Sequence, residues 1–426
     1  MTRRSRVLAA APVLFVHHGL DWITGSERCL LDLMARIDRS RYSPVLLCDA
    51  DALSAAAAAM DVPVHRSAGW HAEDSGLCPR PAAVRQARDI VRRHGIRVIH
   101  ANDEDPIKSL VPVARAERIP LLAHLHIISN ADERRWSLLH QVSMAVGVSR
   151  AAIQGLIDDG VPAHRLRVIY NGVDTVRLER GDARGLRAEL GIGEREVTVA
   201  VVGSLIDRKG VDVVLAAFAA LRASRSDCHL IVIGDGPERT TLERETAALG
   251  VGSSVHFLGR RDDVGAILRD ATDIVVSAAK QEAFPLNLLE AAYFEIPVVA
   301  SDIEPHKESV CAGETGMLVP GGDAAAFARA LHLLAGDPQL GRRFGAAARR
   351  RVLDRFLVDR YVSEFEALYA DLLSRPPRQF GWLGGTRWPP AYRKWVTAAL
   401  RRRIRRLHNR APTPGTTSAP QPPRSH

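Results

Sequence analysis

Residues 280–302, KQEAFPLNLLEAAYFEIPVVASD, read in succession as a loop, a short helix and a buried strand. Pro285 suits the first helical position, where its missing N–H leaves no bond unmade and its fixed φ is already helical. The amides of Leu286 and Asn287 then point out of a helix N-terminus, a natural seat for phosphate. Glu282 lies ahead of that helix and Glu290 inside it, so anion-binding amides stand between two carboxylates that accept hydrogen bonds from hydroxyls. A phosphorylated sugar presents both kinds of group.

The strand that ends this stretch is one of six apolar runs in the second half of the chain: VTVAVVG, HLIVIGDG, SVHFLG, DIVVSAA, PVVAS and GMLVP. The first half carries VLFVHHG, SPVLLCD, RVIHAND, PLLAHLH, MAVGVS and RVIYNG, with helical patterns such as SERCLLDLMARID between them. Continuous apolar strands separated by helices indicate parallel sheets covered on both faces. A length of 426 residues suits two such domains. The expected fold class is α/β, two doubly wound sheets facing a cleft, with ligand loops at the carboxyl ends of the strands. The linker falls at TVRLERGDARG, residues 175–185.

Composition bounds the function classes. A hydrophobic content of 46% with 25% charged residues describes a globular chain with sizeable cores. Cys29, Cys48, Cys78, Cys228 and Cys311 lack metal-like pair spacing and read as reduced thiols of a cytoplasmic protein. The net charge of +9 belongs to the end of the chain: residues 376–426 hold eleven Arg or Lys and no Asp or Glu, which leaves the preceding 375 residues at −2. Within that segment Tyr392, Trp395, Val396, Ala399, Leu400, Ile404 and Leu407 recur every three or four positions among Lys394, Arg401, Arg402, Arg405 and Arg406. This is the composition of an amphipathic helix on an anionic membrane surface. The rival is a basic disordered tail, and nucleic acid is not expected as a partner. At the other end MTRRSRVLAAAPVLFVHHG imitates a signal peptide. Cleavage there would remove the first strand, so a buried strand is the reading adopted. No run of about 18 apolar residues is present to span a membrane.

The loops carry the chemistry. HHGLDWITGSERCLLDL puts Gly19 and Gly25 between the first strand and first helix, where a missing side chain lets the backbone approach a ligand, with Ser26 as the cap. In PLLAHLHIIS, alternation puts His124 and His126 on one face at a strand end, so period alone does not choose between them. Arg208 and Lys209, in VTVAVVGSLIDRKGVDVVLAAF, precede a helix; two cations there neutralise a diphosphate and stabilise the charge that builds on it as a sugar leaves. Gly234 and Gly236 lack the third glycine and following acidic residue of a dinucleotide site and read as turn residues. Asn171-Gly172 is a turn signal read as architectural. No metal cluster emerges, and the pairs Asp158-Asp159 and Asp262-Asp263 read as solvated surface.

Glu282, seven residues, Glu290 and a helix-to-strand segment ending in PVVASD resemble the GT-B glycosyltransferase family four, and the loops above follow in that family's order over residues 13–372. The resemblance implies two Rossmann-like domains and a retaining, metal-independent enzyme that moves a sugar from a nucleotide-diphosphate sugar to an acceptor hydroxyl, with no cofactor beyond that co-substrate. It implies an acceptor-side domain over residues 1–178, with 356–374 crossing back to it, and a nucleotide-sugar-binding domain over 185–355. By the same resemblance Glu282 contacts the donor sugar, Glu290 the ribose, and Lys209 the diphosphate. The segment around Phe284, Leu286 and Asn287 joins the donor site, Leu258 and Arg260 lie against the base, and His126 rather than His124 closes over the sugar. Glu308, in ASDIEPHKE, supports the loop below the site. Two positions depart from the pattern. Ser204 stands where the family has Arg, which Arg208 replaces only if its loop turns inward, and Thr24-Gly25 stands for a Gly-Gly pair. The acceptor implied is a cell-envelope glycan or glycolipid, with the protein cytoplasmic and peripheral on the inner membrane face. The rivals are an epimerase or hydrolase of the same fold, which would convert the donor alone, and a catalytically silent membrane-associated binding partner.

Overall fold

The structure, a computed structural model, describes residues 10–19, 21–67 and 80–375. Cys78 and the basic segment 376–426, with its membrane-surface reading, lie outside the described residues. Seven strands, β1 (Ala11–His17), β2 (Tyr42–Cys48), β3 (Val64–Arg66), β4 (Val98–Ala101), β5 (Leu121–Leu125), β6 (Met144–Gly147) and β7 (Leu166–Val168), form one sheet in the order β3-β2-β1-β4-β5-β6-β7. Six more, β8 (Val197–Val202), β9 (Cys228–Ile233), β10 (Val255–Gly259), β11 (Ile274–Ser277), β12 (Val298–Ser301) and β13 (Met317–Val319), form a second in the order β10-β9-β8-β11-β12-β13. Neighbouring strands in both sheets run parallel. The inner strands β4, β5, β6, β11 and β12 are buried on both faces, as parallel strands covered by helices are.

The pattern of apolar runs missed β3, which is three half-buried or exposed residues at the sheet edge. It also overran β7, because Tyr170-Asn171-Gly172 leaves the sheet to cross to the second domain. That crossing explains the glycine. A Cβ on Gly172 would stand 2.4 Å from Val358 Cα, where the chain returns. The two crossings run side by side: Val173 N donates to Phe356 O at 2.7 Å and Val358 N to Val173 O at 3.1 Å. The returning helix, Val358–Ser374, carries Tyr361, Val362, Phe365, Leu368, Tyr369 and Leu372 at helical spacing into the core beside Val13, Phe15, Leu122 and Met144. Tyr369 Oη meets buried His100 Nδ1 at 2.6 Å. Among the described residues no helix is long and apolar enough to cross a membrane.

In both sheets the strand order reverses once, between β1 and β4 in the first and between β8 and β11 in the second. Loops leaving the carboxyl ends of strands diverge at such a point and open a crevice. The residues singled out by their chemistry gather at these two places.

Candidate active site

At the β8/β11 reversal, Gly203, Ser204, Lys209, Ser277 and Asn287 line one small pocket. Lys209 Nζ pairs with the Glu282 carboxylate. Arg208, though exposed, reaches the same carboxylate at 3.8 Å and the Gln281 carbonyl at 3.3 Å. Both cations of the loop after β8 thus turn toward the loop after β11. The backbone is pressed as tightly: a Cβ on Gly210 would stand 2.1 Å from Ala278 O, at a φ of +64° that favours glycine. Gly234 and Gly236 are likewise close-approach residues, since Cβ atoms there would lie 1.9 Å from Gly203 O and 2.3 Å from Leu205 O.

The helix that follows Glu282 begins one residue later than expected, at Leu286, with Pro285 as its cap position. The Leu286 amide is not open to a ligand, because it turns back to Phe284 O at 3.2 Å. Asn287 keeps a backbone amide without a partner among the described residues, and its side chain ties the helix to β8 by donating to Val202 O at 2.9 Å. The Phe284 ring is buried, stacked on Tyr170 at 5.4 Å and beside Phe356 at 5.8 Å. It holds the two domains together and does not line the pocket. Leu258 is half-buried against the apolar cluster that includes Ile231, Ile233 and Ala266. Glu290, in the second turn of that helix, lies 3.8 Å from Arg177, which is itself 3.7 Å from Asp32 of the first domain. Burial pushes the Glu290 carboxyl above its ordinary range, against the pull of Arg177 and Arg28.

The first domain presents a charged network at the β1/β4 reversal. His17 Nε2 lies 2.8 Å from Glu27 and its Nδ1 3.1 Å from Asp103. Burial would lower the imidazole, but Asp103 and Glu27 outweigh it and raise His17 to about 10. Burial would raise Glu27, but His17 and the Thr24 hydroxyl hold it to about 2. The pair pins the start of the helix Gly25–Arg36, whose cap is Thr24 rather than Ser26. Gly19 has no room for a side chain, since a Cβ would stand 2.6 Å from His17 Nε2. His126 Nε2 lies 3.2 Å from Asn102 Oδ1, and burial together with the His17 cation lowers it to about 3, so the ring is neutral. His124 is fully buried against Phe365 and Tyr361.

The carboxyl edges of the two sheets meet. Gln281 Nε2 donates to Ile128 O at 3.4 Å, which brings the loop of Glu282 to the loop after His126. A Cβ on Gly25 would lie 3.6 Å from Leu286. Arg260 stacks its guanidinium 4.4 Å over the ring of Trp22. Glu308 does more than support a loop. It crosses to the first domain and accepts from Arg150 N at 2.9 Å and Ala151 N at 3.2 Å, at the N-terminus of the helix Arg150–Asp158. Asp159 is not solvated surface: Arg134 at 2.8 Å and His140 at 2.9 Å hold it. The reading of residues passed over His17, Glu27, Asp103 and Arg177. His17 and His18 beside Gly19 at a strand end were a signal; Arg177, in a polar linker, gave none. Among the described residues no group of three or more His, Cys, Asp or Glu is placed to hold a metal ion.

Comparison with known proteins agrees with this architecture. Residues 182–351 match the family model of glycosyl transferases group 1, and residues 23–177 match that of glycosyltransferase family 4. The chain is 27% identical over 296 residues to the N-acetyl-alpha-D-glucosaminyl L-malate synthase of Bacillus anthracis, covering 67% of this chain and 77% of that protein. It is 28% identical over 302 residues to the GDP-mannose-dependent alpha-(1-6)-phosphatidylinositol monomannoside mannosyltransferase of Mycolicibacterium smegmatis, covering 65% and 77%. The solved structure of HepE from Anabaena, in complex with UDP and glucose, superposes with a TM-score of 0.74 at 23% identity, over 85% of this chain and all of that one. Two tandem Rossmann-like domains matched in turn by these two models define the family: the chain belongs to the group 1 glycosyltransferases, with the GT-B fold, and its reaction is glycosyl transfer.

Proposed function

We propose that the protein is a retaining glycosyltransferase that takes a nucleotide-diphosphate sugar on its second domain and an acceptor hydroxyl on its first. The observation that carries this reading is the cluster at the β8/β11 reversal: Lys209 and Arg208 converge on Glu282, and Lys209 lines one pocket with Asn287 at the helix start. A diphosphate arriving there exchanges with the carboxylate for the two cations and the amide, and the released Glu282 accepts hydrogen bonds from the sugar. Glu290 faces the ribose after parting from Arg177, Arg260 borders the base with Leu258, and neutral His126 approaches the sugar from the first domain as a hydrogen-bonding group. The bond between the anomeric carbon and the phosphate oxygen breaks with its electron pair going to the diphosphate. The acceptor oxygen bonds to that carbon from the same face and passes its proton to the departing phosphate oxygen. The two cations and the amide stabilise the leaving group in place of a divalent metal. UDP in the HepE complexes and GDP-mannose in the mycobacterial relative's name support a nucleotide-sugar donor, and the phosphatidylinositol monomannoside in that relative's name supports a glycolipid acceptor. The basic segment 376–426 is then the membrane-surface contact. Its removal lowers membrane recovery of the protein; unchanged recovery and unchanged activity toward a lipid-linked acceptor would count against it.

The test of the donor site is thermal stabilisation by UDP, GDP, ADP and CMP, repeated with Lys209→Ala and Glu290→Ala. A ligand bound only by the native state at about 100 times its Kd raises the melting temperature by a few degrees. We expect one diphosphate to do so in the wild type and neither variant to respond. No shift with any nucleotide would favour a silent binding partner, and conversion of donor without acceptor would favour an epimerase or hydrolase.

A further inference from the structure

His306 is fully buried and within electrostatic reach of the Lys209–Glu282 pair. It sits on the helix Glu304–Ser309, directly after β12. Its Nδ1 is 2.8 Å from Ser301 O, an acceptor, so Nδ1 carries the ring proton and Nε2 is left with a bare lone pair. Nε2 has no hydrogen-bond partner among the described residues. The ring is tied to the segment that leads to Glu282, because the Ser301 hydroxyl stands 3.2 Å from Nδ1 and donates to Ala279 O at 2.6 Å. Lys209 is held against the same segment from the other side by the contact between Gly210 and Ala278. The charges of Glu282 and Lys209 both act on the imidazole, and burial keeps it neutral by lowering its pKa. A buried acceptor nitrogen without a partner is uncommon and asks for an occupant.

We infer that His306 is a positioning residue for Lys209: when a donor diphosphate separates Lys209 from Glu282, Nε2 accepts a hydrogen bond from the freed ammonium and keeps it aimed at the phosphates. The inference rests on the donor-site reading above. The ligand-free pairing of Lys209 with Glu282 leaves Nε2 empty, and the donor complex fills it. An ammonium has three donors, so one directed at His306 leaves two for phosphate oxygens.

The experiment titrates UDP and GDP into wild type, His306→Asn, His306→Gln, Lys209→Ala and the His306→Asn/Lys209→Ala double variant, with donor and acceptor KM measured where turnover is seen. Asn keeps the donor to Ser301 O and removes the Nε2 acceptor. Gln puts a carbonyl oxygen near the place of Nε2. We expect His306→Asn to weaken diphosphate binding about tenfold and raise donor KM without moving acceptor KM. Gln should restore binding to within about threefold of wild type, and Asn should add less than about twofold to Lys209→Ala, as two groups acting through one contact are not additive. Wild-type affinity in His306→Asn, or a full tenfold further loss in the Lys209→Ala background, overturns the inference and leaves the donor site standing. Should the Asn variant not fold, loss of binding in a folded His306→Gln overturns it as well. Wild type that binds neither UDP nor GDP sinks the donor site itself for those bases, and this role of His306 with it.

Discussion

At the candidate site His17 and Glu27 form a buried pair, with side chains only 2% and 4% exposed. Two charges out of water hold only while each has its partner. His17→Ala strands Glu27 and Asp103, and we expect a cost of about 3–5 kcal/mol in urea unfolding. The pH dependence follows from the two shifts. Glu27 is depressed from 4.5 to about 2, so its contribution is whole above 4.5 and is lost as pH falls toward 2. His17 is raised from 6.5 to about 10, so its contribution is whole below 6.5 and is lost as pH rises through 10. The stability difference between wild type and Glu27→Gln should therefore be greatest between pH 4.5 and 6.5 and shrink on either side. A difference independent of pH would show that the pair is not ionised in the native protein.

Among the elements, the loops that leave β8, β9 and β10 depend for their shape on missing side chains. Gly234 N donates to Gly259 O at 2.8 Å and Gly203 N to Ile233 O at 3.0 Å, so three strand ends are laced together by backbone alone. Gly234 has a φ of +138°, closed to a side chain, besides the clash with Gly203 O. Gly234→Ala should cost about 2–4 kcal/mol or prevent folding. Gly336, at the end of the helix Ala324–Gly336, has nothing within 4 Å of a Cβ and no positive φ. Gly336→Ala should be neutral or stabilising by up to about 1 kcal/mol. Thermal unfolding of the two variants checks both; equal effects would mean that the lacing of the strand ends does not govern stability. The sequence marked Gly234 as a turn residue because Gly-x-Gly after an apolar run is a local signal. It gave no hint that the obstacle is a carbonyl on a different loop.

At the scale of the whole molecule, the two domains are joined by the paired crossings at Val173 and Phe356–Val358, by the apolar contact of Phe284 with Tyr170 and Phe356, and by Glu308 capping the helix Arg150–Asp158. The crossings are covalent and the apolar contact is buried, whereas Glu308 binds at an exposed edge. Glu308→Ala should therefore remove about 1 kcal/mol, the worth of a helix cap. It should also raise the radius of gyration of the ligand-free protein in X-ray scattering by letting the domains part. An unchanged radius would assign closure to the crossings and Phe284 alone.

Twelve of the thirteen strands were legible as apolar runs, because a parallel strand covered on both faces has no polar alternation to disguise it. The half-exposed β3 lacks that mark. The residue types at the strand ends were legible too: Lys209, Arg208, Glu282 and His126 sit in short connections whose place follows from the order of strands, and Asn287 opens the helix after one of them. Their partners were not. Glu290 meets Arg177 and Asp32, Glu308 meets Arg150, and Phe284 turns into the domain contact, each through a residue more than a hundred positions away or from the other domain. Periodicity records which face of an element is buried. Ion pairs and hydrogen bonds depend on approaches of a few ångströms between separate elements, and those exist only once both sheets have packed.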